Sequence, residues 1–139
     1  VSGGDVGFIR GFSEPLFGIP KHHVIGSGRD NIVVDDGGDI QRSARFSSMN
    51  VGAEKTLNIN LHIGRRPIIA VGNSDGDINM MRYASKDNGL VMLLMHDDVD
   101  REYNYVEGAE QVISVSEAEG WSVISMKNDF AQVFVPSEM

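Results

Sequence analysis

The stretch Gly72-Asn73-Ser74-Asp75-Gly76-Asp77 follows directly on an unbroken apolar run, Pro67-Ile68-Ile69-Ala70-Val71. A buried strand there would deliver the amide oxygen of Asn73 and the carboxylates of Asp75 and Asp77 into a tight turn that opens a helix. Hard cations such as magnesium take oxygen ligands and keep several waters, so this turn carries the right donors for one. The same residue types also favour a plain helix N-cap, and taken alone the turn fits either use. Near the start of the chain, Ser2-Gly3-Gly4 offers a hydroxyl and backbone N–H groups at a helix start, the makings of an anion site. By itself this too reads more readily as a cap. Lys55 stands in the first turn of a helical stretch, where a cation works against the helix dipole. That mild penalty hints at a use such as neutralising a phosphate, although a solvated surface lysine is the commoner case.

The elements that must hold these residues follow from periodicity. Val1 reads as the last residue of a buried strand. From Asp5 to about Leu16 the apolar residues recur at helical spacing, and Gly18 and Pro20 end that helix. Val24-Ile25 and Ile32-Val33-Val34 are short β-branched runs separated by a polar turn, Gly26 to Asn31. Asp35 to Asn50 has no clear period and reads as a loop or a short hairpin arm. Ala53 to Ile63 is a helix closed by Gly64. Ile78, Met80, Met81 and Ala84 mark a third helix, and Leu90 to Met95 a second continuous apolar strand. His96 to Glu107 is polar and carries no clear period. Ser116 to Gly120 fits a short helical end, Trp121 to Met126 the last strand, and Phe130 to Val135 a packed tail.

Helices alternating with continuous apolar strands imply an α/β fold, with a mainly parallel, Rossmann-like sheet covered by helices on both faces. In such sheets ligands bind beyond the carboxyl ends of the strands. Ser2-Gly3-Gly4, Gly72 to Asp77 and His96-Asp97-Asp98 all follow strands directly, so that edge is the candidate site. His96, ending a strand there, is a candidate rim residue. His22, His23 and His62 are expected in solvent, as are Arg65 and Arg66. Met80, Met81, Met92 and Trp121 are expected to pack in the core. Gly26-Ser27-Gly28 lacks the third glycine and the following helix of a dinucleotide site.

The chain has 139 residues, enough for one domain spanning 1–139. Its 12 basic and 20 acidic residues leave a net charge of −8, which argues against nucleic acid or anionic membranes as partners. The absence of cysteine rules out disulfides and thiolate metal sites and leaves the compartment open. No apolar run reaches the length of a membrane span. The opening VSGGDVGF has neither the basic nor the apolar stretch of a signal peptide, and it reads as the inside of a protein.

Taken in order, Val1-Ser2-Gly3-Gly4, Lys55 and Gly72-Asn73-Ser74-Asp75-Gly76-Asp77 resemble the motifs of the haloacid dehalogenase (HAD) superfamily. The stretches IGRRPIIAVGNSDGDINMM, GFSEPLFGIPKHHVIGS and HDDVDREYNY look most like its phosphoserine-phosphatase-like branch. The resemblance implies a magnesium-dependent phosphomonoester hydrolase acting on a small phosphorylated substrate through an aspartyl-phosphate. It implies that the Ser2 hydroxyl and the Gly3 N–H hold the phosphoryl oxygens, that Lys55 balances their charge, and that Asn73 and Asp77 hold the metal, with Asp75 as a further candidate. Asn73 departs from the Asp common in the family. The family's Asp-x-Asp nucleophile motif and its cap would lie before Val1, so the HAD-like core would be incomplete at its N-terminus, its central strand supplied by that segment. A phosphate- and metal-binding domain without turnover, or a phosphotransferase, would share these residues.

Overall fold

The computed structural model describes residues 1–104 and 106–134. It divides into two compact units, Val1–Arg65 and Arg66–Met139.

In the first unit, helix α1 (Val6–Phe17) starts where Asp5 caps it, the carboxylate accepting from the N–H groups of Gly7 at 2.8 Å and Phe8 at 3.0 Å. The Arg29 guanidinium, together with these two N–H groups, holds the Asp5 carboxyl below its ordinary value. Gly18 closes the helix in the left-handed region at φ 64°. Before α1, residues 2–5 run alongside 25–27. Ser2 N–H donates to Ile25 O and Ser27 N–H to Gly4 O, each at 2.9 Å, and Asp5 and Ser27 form a parallel bridge. Val1 is exposed and is assigned to no strand, whereas a buried strand end is expected there. The two segments approach so closely that a Cβ on Gly26 would sit 2.8 Å from Gly4 O. Strands β1 (Gly28–Val33) and β2 (Ile40–Ser48) form an antiparallel hairpin, settling the loop-or-hairpin alternative for Asp35 to Asn50. Every residue of β2 is exposed. A strand without a buried face needs no apolar alternation, which is why its sequence carries no period. Helix α2 (Ala53–Ile63) ends at Gly64, as its sequence indicates.

The second unit is mixed α/β. Strands β3 (Ile69–Gly72), β4 (Leu90–Met95) and β5 (Ser122–Ser125) make a three-stranded parallel sheet in the order β3-β4-β5. Helix α3 (Ile78–Ser85) links β3 to β4, and α4 (Glu110–Glu119) precedes β5. Side chains alternate along the strands. Ala70, Val91 and Leu93 point into a core shared with Ile78, Met81 and Ala84 of α3, Val112 of α4, and Trp121. Both helices therefore lie on one face, where each buried Leu- or Met-sized side chain contributes roughly 1.5–3 kcal/mol. The opposite face carries Ile69, Val71 and Leu90 at 54%, 47% and 48% exposure. Of the two helical layers expected, this unit supplies one, because α3 and α4 both bring their apolar residues to the same set of inward side chains. Helix α4 begins well before the short helical end read at Ser116. Its apolar residues are few, Val112, Ile113 and Val115 among polar neighbours, and give a weak helical period. A short helix, α5 (Met126–Asp129), follows β5 directly. Phe130 and Phe134 are exposed rather than packed as a tail, and Val135 lies outside the described residues.

Candidate functional site

The expected site residues fall in both units: Ser2, Gly3 and Lys55 in the first, Asn73, Asp75 and Asp77 in the second.

In the first unit the Ser2–Gly4 turn is held from below by polar side chains. Ser2 Oγ accepts from Gly4 N–H at 3.1 Å. A hydroxyl that accepts in this way keeps its own proton to donate. The Ser2 carbonyl accepts from Asn50 Nδ2 at 2.8 Å, and the Gly3 carbonyl accepts from Ser27 Oγ at 2.7 Å. Ser27 Oγ in turn accepts from Asn50 N–H at 2.9 Å, and Asn50 Oδ1 accepts from Asn58 Nδ2 at 2.9 Å. Ser27 and Asn50 are fully buried. Asn50 lies three residues before α2 begins at Ala53, the first turn of that helix holds Lys55, and the Lys55 N–H donates to Gly52 O. Lys55 itself is half-buried. Ser2, Gly3 and the helix start bearing Lys55 are thus joined through one residue. Asn50, Asn58 and Ser27, which brace this turn, are residues that sequence reasoning misses, because an isolated polar residue gives no local sign of the distant partners it meets.

In the second unit the chain leaves β3 at Gly72 and turns through Asn73 and Ser74 into a single 3-10 turn, Asp75–Asp77, which continues as α3. Gly72 is required by close approach: a Cβ there would lie 2.6 Å from Asp77 Cβ and 2.8 Å from Met81 Sδ. Asp77 is 4% exposed. Its Oδ2 accepts from Asn73 N–H at 3.1 Å, Ser74 N–H at 3.2 Å and Ser74 Oγ at 3.1 Å. Ser74 and Asp77 therefore form a capping box. One oxygen of the expected metal ligand is spent on bracing the turn. Asp75 has a different task. Its N–H donates to Gly108 O at 2.7 Å, and its Oδ1 accepts from Val112 N–H at 2.8 Å, in the first turn of α4. The residue preceding α4 is Ala109, which has no side chain to cap it. Asp75 supplies the missing cap from a distance, so Asp75→Ala is expected to cost about 0.5–2 kcal/mol, read as a shift in the denaturant midpoint. No shift would show that α4 needs no such cap.

Asn73 faces His96, which follows β4. Asn73 Nδ2 is 3.3 Å from His96 Nε2, and His96 Nδ1 is 2.8 Å from Glu102 Oε2. The Glu102 side chain is 8% exposed, and its Oε1 is buried without a hydrogen-bond partner. With the Nδ1 hydrogen given to this carboxylate, Nε2 faces the Asn73 amide nitrogen as its acceptor. That assignment turns the Asn73 oxygen to the opposite branch of the amide. Glu102 is a further residue the sequence does not disclose, since nothing in its polar surroundings marks it for burial. The two aspartates after His96 are structural. Burial pushes the Asp97 carboxyl up, but the Ser125 hydroxyl at 2.6 Å and the Lys127 N–H at 3.0 Å outweigh it and hold it below its ordinary value. Asp98 is likewise raised by burial and lowered further by Arg101, which also donates to the carbonyls of Met126, Lys127, Phe130 and Ala131. His22, His23 and His62 are exposed. Arg66 does not float in solvent as expected. It stacks 4.2 Å from the Tyr83 ring centroid and donates to Tyr83 O.

Among the described residues, no three His, Cys, Asp or Glu side chains stand together as a metal-ion cluster. Magnesium needs fewer, because it commonly binds through one or two carboxylates, waters and a substrate phosphate. An amide oxygen at Asn73 beside the Asp77 carboxylate fits that sparse oxygen chemistry. No described helix is long and apolar enough to cross a membrane. Compared with known proteins, the chain matches no family model and no curated protein.

Proposed function

We propose that the chain is the greater part of a HAD-like core that hydrolyses phosphomonoesters in the presence of magnesium. The observation that carries this reading is the Asn50 link, which ties the Ser2–Gly3 turn to the start of α2 and so to Lys55. A donating hydroxyl, a glycine N–H and a cation on one buried scaffold suit a phosphoryl group, whose transfer is mostly a matter of positioning and charge balance. In this reading Ser2 and Gly3 orient the phosphoryl oxygens and Lys55 offsets their charge. Asn73 and Asp77 would hold magnesium, which lets an anionic nucleophile approach an anionic phosphate. The nucleophilic aspartate must come from outside residues 1–139, on a strand beside β3. In support, β3 ends the sheet order and pairs only with β4 among the described residues.

The test is hydrolysis of a general phosphomonoester by the intact protein, with and without magnesium. Magnesium-dependent release of phosphate is expected. Asn73, standing where the family commonly has Asp, favours a second reading, a phosphate- and metal-binding domain without turnover. Saturable phosphate binding with no hydrolysis would establish that second reading, and absence of both would overturn the two together.

A further inference from the structure

We infer that Asn50 is a positioning residue that aims the Gly3 N–H at the bound phosphate; the inference rests on the phosphate-site reading above. It starts from peptide geometry. A trans peptide is planar, and its C=O and N–H point in opposite directions. The Ser2 C=O and the Gly3 N–H belong to one such plane. Asn50 Nδ2 takes the Ser2 carbonyl at 2.8 Å, so the Gly3 N–H is turned away from the buried side of the turn. The next plane is fixed in the same way: Ser27 Oγ takes the Gly3 carbonyl at 2.7 Å, and the Gly4 N–H swings over to Ser2 Oγ at 3.1 Å. Among the described residues, no group accepts from the Gly3 N–H.

Asn50 has its backbone N–H and both polar atoms of its side chain in use. Its N–H goes to Ser27, its Nδ2 to Ser2, and its Oδ1 to Asn58. Burying an asparagine is costly unless its groups are paired, and a fully paired one specifies a single arrangement. The Ser2 carbonyl, which can only accept, settles which way round the Asn50 amide lies, and Asn58 Nδ2 completes the arrangement at Oδ1. Reversed, the Asn50 amide would point an oxygen at the Ser2 carbonyl. The direction of the Gly3 N–H is therefore set through Asn50, with Asn58 holding the amide in place. Because Asn50 stands just ahead of α2, the same residue fixes the distance from the turn to the helix start that carries Lys55. A space-filling side chain would do the packing part of this work, but only a donor at Nδ2 turns the peptide.

The full chain, labelled with nitrogen-15, is titrated with inorganic phosphate while its amide resonances are followed. In the unaltered protein the Gly3 resonance is expected to move saturably. Asn50→Leu keeps the branched shape, adds no charge and removes the donor. Phosphate affinity should fall about tenfold or more, the worth of one charge-assisted hydrogen bond, and the Gly3 resonance should stop responding while the rest of the spectrum stays dispersed. Asn58→Leu, at the less buried end of the network, removes the partner of Asn50 Oδ1, loosens the amide and should weaken binding by a smaller factor. It carries the test if Asn50→Leu does not fold. Phosphate binding with an unchanged Gly3 response in a folded variant would overturn the role of Asn50 and leave the phosphate site standing. An unaltered chain that binds no phosphate would overturn the site itself, and this inference with it.

Discussion

Replacing Met81 with Ala is expected to lower the unfolding free energy by about 2–5 kcal/mol, the range for emptying a fully buried site of this size. Met81 is 0% exposed and heads the largest fully buried side chains. It sits in the middle of α3 and joins the cluster formed by Ala70, Val91, Leu93 and Val112. Its Sδ lies so near Gly72 that a Cβ there would be 2.8 Å away. Rigid backbone on that side cannot collapse into the space an alanine would leave. The strand end that precedes Asn73 would then lose its support, and the capping box of Ser74 and Asp77 with it. Since small domains hold only about 5–15 kcal/mol in all, this one change removes a large part of the total. The measurement is a denaturant midpoint followed by a probe in the second unit, such as the fluorescence of Trp121, which shares the cluster. A loss under about 1 kcal/mol, the size of an ordinary surface change, would mean that α3 does not pack on the sheet as described.

Sequence and structure agree best where burial is deep and periodic. The apolar run Leu90 to Met95 is β4 to the residue, and Ala53 to Ile63 is α2 with its glycine stop. Both carry their signal locally, in unbroken hydrophobicity or in a helical period with a left-handed cap. Legibility fails where a residue's environment is set by distant partners. Asp75 reads as a metal ligand or a cap for its own helix, yet it caps α4, whose first turn lies some way along the chain. Asn50 and Glu102 look like solvated loop residues and are buried, each through contacts made by the fold. The hairpin of β1 and β2 fails for the opposite reason. Its β2 residues face solvent, and an exposed strand leaves no apolar pattern to read. The second helical layer expected on the sheet is not supplied by the second unit itself. Ile69, Val71 and Leu90 are apolar as a covered face requires, but sequence alone does not say which element covers them.

Lys55→Ala in the intact protein is expected to reduce phosphomonoester turnover by about 10²–10³-fold, the usual effect of removing one preorganised group that meets transition-state charge. The loss should fall on kcat more than on KM, because the charge that Lys55 offsets is greatest when nucleophile and phosphoryl group are closest. Stability should move little. Lys55 lies in the first turn of α2 behind Glu54, and a cation at a helix N-terminus is opposed by the dipole by about 0.3–1 kcal/mol. Removing it relieves that opposition while giving up whatever its half-buried stem contributes to packing. A folded variant with its denaturant midpoint nearly unchanged and its turnover largely gone is therefore the expected pair of results. Lys55→Arg separates charge from geometry: it keeps the positive charge but replaces a compact ammonium with a planar fork on a different stem. Partial activity in Lys55→Arg beside near-complete loss in Lys55→Ala would assign Lys55 to charge balance at the phosphate. Equal turnover in Lys55→Ala and the unaltered protein would remove Lys55 from the site, and the Asn50 link would then join the Ser2 turn to α2 for reasons of folding alone.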